Sequence, residues 1–331
     1  ALTDQPARAS FSRSSGLSKP SGKSQRPPMR RLSFRTAGES HGRALIAILE
    51  GIPAGLSISM EKDVDPELRR RQGGHGRGRR MQIETDRADL LAGVRLGETL
   101  GSPIAMVVWN KDSDNWTVAM SQVPPEPEVN PKALRSLYLP RPGHADLVGV
   151  LKYDRRDTRD VLERASARET AARVACGAVV KKLLADVGVR VGSHVVSIGD
   201  VAGSPVESLP EDLNAAVDGD PVRCLDAEAS ARMTAAIDRA KEEGDTLGGV
   251  FEVVATGVPV GLGSYVSWDT KLDGRLAGAM MSIQAVKGVE IGLGFEGSRR
   301  PGSRVHDPIE MAPDKPRAGS IGRSSNRAGG L

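Results

Sequence analysis

The densest chemistry in the sequence lies at 69–80, "RRRQGGHGRGRR", where Arg69, Arg70, Arg71, Arg77, Arg79 and Arg80 stand with four glycines and no acid. Guanidinium forks grip phosphate and carboxylate oxygens in pairs, and glycine lets the backbone approach a ligand closely. A cluster this one-sided repels itself unless an anion faces it. A small-anion pocket is therefore favoured over a solvated basic face or an RGG-like RNA segment, which would be repeated rather than occur once. "GESHG" (38–42) and "RPGHAD" (141–146) put His41 and His144 in Gly-bounded turns beside charged residues. Imidazole in such a turn is a usable general acid or base near neutral pH, and the bland alternative is an exposed turn histidine. His75 lies inside the Arg/Gly loop, where positive neighbours disfavour its cation. His194 sits between apolar strand residues and reads as structural, and His306 is undecided. No H-E-x-x-H or comparable spacing occurs, so no protein-held metal is expected.

Other patterns compete with this reading. "GESHG" satisfies G-x-S-x-G and would make Ser40 a hydrolase nucleophile, but the strand–turn–helix context of a nucleophile elbow is weak here. "GLGFEG" (292–297) runs into Pro301 rather than a helix, so it fails as a dinucleotide fingerprint. In "ERASARET" (163–170), Arg164 and Arg168 share a helix face at i,i+4 with Ser166 between them. That arrangement calls for an internal Glu163–Glu169 network or a ligand anion to bridge the two charges.

The elements that must position these groups mix α and β. Short strands are expected at 32–38, 43–59, 81–110 and 191–203, with one or two more at 248–263. A helix is expected at 61–72, followed by a loop at 73–80, and 110–147 reads as mostly loop. The clearest helix runs from about Asp157 to Val187, with Leu162, Ala165, Glu169, Ala172, Ala175, Val179 and Leu183 at three- and four-residue spacing and Gly188 as its stop. Residues 204–245 look helical with a polar surface. A last helix spans 272–286, with Leu272, Leu276, Met280, Ile283 and Val286 on one face.

Composition sets outer limits. The 331 residues carry 46 basic and 42 acidic side chains; five of the bases and one acid fall in residues 1–28, leaving 41 of each in the rest. A generic polyanion partner is not indicated, and 3% aromatics is too few for a base-stacking platform. No nucleic acid is expected. Cys176 and Cys224, with no C-x-x-C, exclude a disulfide scaffold and fit a reducing, cytoplasmic setting. No apolar run approaches the roughly 18 residues of a membrane span. Residues 1–28 read as a disordered extension. Its Ser/Arg-rich, acid-poor composition leaves an organelle transit peptide as the lesser alternative to an expression scar or upstream translation. Residues 29–331 read as a single domain.

Taken together, several long blocks resemble the chorismate synthase family: "RTAGESHGRALIAILEGIPAGL" (35–56), "RRRQGGHGRGRRMQIETD" (69–86), "RPGHADLVGVLKY" (141–153), "ERASARETAARVACGAV" (163–179) and the run from Gly244 to Phe295. They stand in the family's order. The resemblance implies an α/β sandwich with helices between antiparallel sheets, assembled as a homotetramer. It implies conversion of 5-enolpyruvylshikimate 3-phosphate to chorismate by 1,4-anti elimination of phosphate, with reduced FMN as cofactor and NADPH as one candidate reductant. Residue by residue, His41 falls on the acid that protonates the departing phosphate and His144 on the histidine that sets the protonation of the reduced flavin. Arg71, Arg77, Arg80, Arg141 and Arg168 match substrate-anion contacts. Arg164, Ala165, Ser166, Gln284 and Ala285 match flavin contacts. The family pattern continues past "SSNRAGGL" (324–331) into a Gly-rich segment, a Lys-Pro stretch and an "R-x-D-P" signature whose Asp acts on the flavin. On that reading the domain is truncated at its C-terminus, and the alternative function is an inactive remnant that binds FMN or anions without turnover.

Overall fold

The computed structural model describes residues 32–78, 83–206, 208–311 and 321–329. Two antiparallel sheets carry the architecture. The first has the order β1 (Ser33–Ala37), β2 (Ala44–Glu50), β6 (Ile104–Trp109), β3 (Ala88–Ala92), with the short hairpin β4 (Val94–Arg95) and β5 (Glu98–Thr99) beside it. The second is β8 (Val201–Ala202), β7 (Arg190–Ile198), β9 (Gly249–Thr256). Strand β2 shows why the first sheet forms: in "ALIAILE", Leu45, Ala47 and Leu49 are buried while Ile46 and Ile48 face outward. That is the period-two alternation of a half-covered sheet.

Between the sheets lies helix α4 (Thr170–Asp186), which packs on β2 and β6 of the first and on β7 of the second. Its buried face is mostly small (Ala171, Ala172, Ala175, Cys176, Ala178, Val179), so backbone and sheet can approach closely. Helix α1 (Asp65–Gln72) closes this core with Leu68, after a turn that buries Val64. A smaller core joins Val222, Cys224, Ala229 and Met233 to Val195, Ile198 and Val201 of the second sheet. There helix α6 (Ala227–Glu242) is capped by Asp226, whose carboxylate accepts the N–H groups of Glu228 and Ala229. Helices α2 (Asp146–Tyr153), α3 (Arg159–Ala165), α5 (Leu213–Val217) and α7 (Leu272–Met281) complete the elements used below.

Three sequence expectations change. The helix expected over Asp157–Val187 is broken: α3 ends at Ser166, which is extended (φ −63°, ψ 145°), and a short 3-10 turn at Ala167–Glu169 leads into α4. Arg164 and Arg168 therefore do not share a helix face. The helix expected over 272–286 stops at Met281, because Ser282–Ala285 turn away and Ala285 takes the left-handed region at φ 70°. Finally, the helix expected over 61–72 is α-helical only from Asp65, after a wider turn at Met60–Val64, whereas 248–263 supplies one strand of the one or two expected.

Candidate active site

The turn between β1 and β2 carries Ser40 and His41. It begins at Gly38 (φ 100°), where a Cβ would lie 2.3 Å from the Ala44 carbonyl oxygen, so only glycine fits this approach. Two residues from elsewhere in the chain fix the turn. Asn110, buried at the end of β6, donates through Nδ2 to the carbonyls of Glu39 (3.1 Å) and Gly42 (2.7 Å). Glu163 of α3 lies against the imidazole, with its carboxylate oxygens 3.0 and 2.8 Å from His41 Nδ1. The ring stacks on Trp116 with centroids 3.9 Å apart, and Arg135 covers Trp116 at 4.0 Å.

The arginines fall into two groups. Arg168 is buried: Nη1 donates to both Asp86 oxygens at 2.7 Å, Nε donates to Asn110 Oδ1 at 2.9 Å, and Nη2 is 3.6 Å from the Glu84 carboxylate. Arg71 shares Asp86 at 3.3 Å and donates to Thr170 Oγ1 and the Ala167 carbonyl. Arg164 donates to the carbonyls of Thr36 (2.8 Å) and Gly38 (3.3 Å). Of the two alternatives the sequence offers for Arg164 and Arg168, an internal Glu163–Glu169 network or a ligand anion, the contacts seen are internal, but they are made by Asp86, Glu84 and main-chain oxygens. The Arg-rich run likewise finds acids from other elements, since Arg70 forms a bidentate pair with Asp218 and a close pair with Glu67. Arg77 donates to the Gly73 carbonyl. Arg79 and Arg80 lie outside the described residues. His75 is paired with Asp238 at 2.7 Å, contrary to a ring surrounded only by cations. This loop is pinned to α6: a Cβ on Gly76 would meet Ile237 Cγ2 at 2.4 Å.

Ser166 and Gln284, distant in sequence, meet at Glu169, whose main-chain N–H donates to the Ser166 carbonyl at 3.1 Å. Its carboxylate accepts from Thr36 Oγ1 (2.5 Å), Arg173 Nε (2.9 Å) and Gln284 Nε2 (2.7 Å). Burial opposes the Glu169 charge, but the hydrogen bonds of Thr36, Gln284 and Arg173 outweigh it and hold the carboxyl below its ordinary range. Ser166 donates to Ser40 Oγ at 3.2 Å and accepts the Arg168 N–H. Ser40 is buried in a strand–turn–strand setting, which is not a nucleophile elbow.

His144 belongs to a separate cluster at the start of α2. Its Nδ1 lies 2.5 Å from Asp146 Oδ1, and Arg141 donates through its main-chain N–H and Nε to Asp146 Oδ2, both at 3.0 Å. Burial works against the Asp146 charge, yet the Arg141 and His144 hydrogen bonds bring its pKa down to about 2. Sequence reasoning missed the partners Glu163, Asp86, Asn110 and Trp116. Only Asp146, two residues from His144, was visible locally. Among the described residues no group of three or more His, Cys, Asp or Glu could hold a metal ion, and no helix is long and apolar enough to cross a membrane.

Comparison with known proteins gives the family. The chorismate synthase family model matches residues 32–331. A chorismate synthase of Symbiobacterium thermophilum is 56% identical over 302 residues, covering 91% of this chain and 76% of that protein. One from Shouchella clausii is 54% identical over 301 residues, with the same coverage. A crystal structure of chorismate synthase superposes with a TM-score of 0.71 at 45% identity, covering 92% of this chain and 79% of the other. The mixed fold of helices and antiparallel sheets and the match over nearly the whole described region lead to one assignment: this chain belongs to the chorismate synthase family.

Proposed function

We propose that the chain converts 5-enolpyruvylshikimate 3-phosphate to chorismate, a carbon–oxygen lyase reaction of aromatic amino-acid biosynthesis. The C3–O bond to phosphate breaks, the C6 proton is lost, and a second ring double bond forms with no net redox change. The observation that carries the reading within the site is His41: Nδ1 is engaged by a buried carboxylate, while Nε2 has no hydrogen-bond partner among the described residues. An imidazolium held this way donates from Nε2 to the departing phosphate oxygen. Arg71, Arg77, Arg80 and Arg141 are proposed to hold the substrate's phosphate and carboxylates. Arg168, buried against Asp86, supports the site from beneath.

The family implies a reduced flavin, and the residues present fit one. Gln284 Oε1 is buried without a hydrogen-bond partner among the described residues, while its Nε2 is fixed on Glu169. An oriented, unpaired acceptor suits the N–H edge of a flavin ring. Arg164, Ala165, Ser166, Gln284 and Ala285 are the residues proposed to hold FMN. Reduced FMN, when bound, supplies electron density as phosphate leaves and recovers it as the C6 hydrogen departs. His144, on Asp146, is proposed to set the local protonation there. The same reading carries a cytoplasmic homotetramer, a single domain over 29–331, and NADPH as one candidate reductant. Anaerobic incubation of the protein with photoreduced FMN and 5-enolpyruvylshikimate 3-phosphate tests it. Equal amounts of phosphate and chorismate are expected, whereas flavin binding with no product would favour a binding protein instead.

A further inference from the structure

Glu163 does more than accept one hydrogen bond. Besides engaging Nδ1, its Oε2 accepts the His41 main-chain N–H at 2.9 Å, and its own main-chain carbonyl accepts the Ser40 N–H at 2.9 Å. A single residue thus fixes both the ring and the peptide that carries it. The carboxylate is 2% exposed and is itself held by Arg159 Nη1, 2.6 Å from Oε1. Burial alone would raise its pKa, but the hydrogen bonds and charge of His41, together with Arg159, outweigh that and keep it below the ordinary value. An ionised acceptor at Nδ1 requires the proton to sit on Nδ1, which leaves Nε2 as the atom that gains and loses protons. The remaining charged groups near the ring are accounted for. Arg159 and Arg135 lie over Trp116 at 5.0 and 4.0 Å, and Asp112 accepts the Trp116 indole N–H at 2.9 Å. Glu39 and Arg164 border the turn on its main-chain side.

We propose that Glu163 is the positioning residue of this site: it holds His41 as the Nδ1–H form with the ring fixed, so that Nε2 is the atom that passes a proton when phosphate leaves. The proton passes from Nε2 to the phosphate oxygen, and the ring returns to neutral with Nδ1–H still on Glu163. Trp116 is the wall that keeps the ring in plane. The proposal deepens the functional reading above and rests on it for the identity of the proton acceptor.

The test is selective 15N labelling of the five histidines, with His41 assigned by its loss in His41→Gln. In the wild type, His41 is expected to be Nδ1-protonated at neutral and high pH. In Glu163→Gln it should shift toward the Nε2–H form, because the acceptor at Nδ1 no longer carries a charge. The value of kcat should drop about 10²-fold with much less change in KM. Glu163→Asp, which keeps the charge, should restore most of the tautomer preference and part of kcat. If Glu163→Gln proves too unstable to purify, the wild-type spectrum still decides, because the proposal requires the Nδ1–H form there. An unchanged tautomer in Glu163→Gln, or no Nδ1–H form in the wild type, would overturn the proposal. Because the labelled spectrum reads His41 without turnover, a wild type that makes no chorismate but shows the Glu163-dependent tautomer would count against the functional reading alone.

Discussion

His41 and His144 each set Nδ1 against a carboxylate in a Gly-bounded turn, with 21% and 25% of their side chains exposed, yet they are positioned by opposite means. His144 meets Asp146 two residues away, so its pair is almost entirely a local product of the turn and the start of α2. Arg141 Nη2 also stands 3.2 Å from the same Nδ1, so a cation competes there with the carboxylate. His41 meets Glu163 across 122 positions, and its turn hangs on Asn110, which in turn is gripped by buried Arg168. One histidine is built by sequence neighbours and half-exposed charge. The other is built by the core, and the stability of the core and the chemistry of the site are coupled there.

That contrast can be broken by mutation. Arg168→Met takes from the buried Asp86 carboxylate its closest guanidinium and should cost about 3–5 kcal/mol in urea unfolding. Arg141→Met, whose guanidinium is about half exposed, should cost no more than about 1 kcal/mol. Equal losses would mean that the two clusters are not built differently. Asn110→Ala removes two buried hydrogen bonds from the His41 turn and should cost about 1–3 kcal/mol. It should also broaden the His41 signal without touching that of His144.

A smaller effect distinguishes the clusters by pH. Asp146 is depressed to about 2 in the folded protein. Its contribution is therefore present above the unfolded carboxyl value near 3.8 and is lost as pH falls through that window toward 2. Asp146→Asn should flatten stability over that acidic range and leave neutral-pH stability less affected than Arg168→Met does. The smallest expected change is a gain. Ala285 pays for a left-handed backbone at φ 70°, and Ala285→Gly should raise the thermal midpoint, worth up to about 1 kcal/mol.

Much of this site was legible before any coordinates. The two turn histidines and the loop at 73–78 are local patterns, and local patterns survive in a single sequence; residues 164–166 and 284–285 were named through the family resemblance. The acids that satisfy the arginines are not local. Asp86 lies 82 positions from Arg168, and Asp218 lies 148 from Arg70, so these arginines meet acids that only the tertiary fold supplies. The break at Ser166 was hidden for another reason. The apolar period runs through it from Leu162 to Val179, while the break itself comes from Ser166 capping the Arg168 N–H and bonding Ser40. Periodicity reports which residues face the core, and it is silent on a one-residue change of backbone direction. Helix α7 stops early for a similar cause, as Gln284 is drawn to Glu169 and Ala285 turns left-handed.

The most direct measurement is single-turnover phosphate release from 5-enolpyruvylshikimate 3-phosphate, anaerobic and with reduced FMN, comparing wild type with His41→Gln. The variant should still bind substrate and should release phosphate about 10³-fold more slowly, with the largest deficit at the pH where the wild-type imidazole is protonated. Release within about twofold of the wild-type rate would contradict the assignment of His41 as the proton donor.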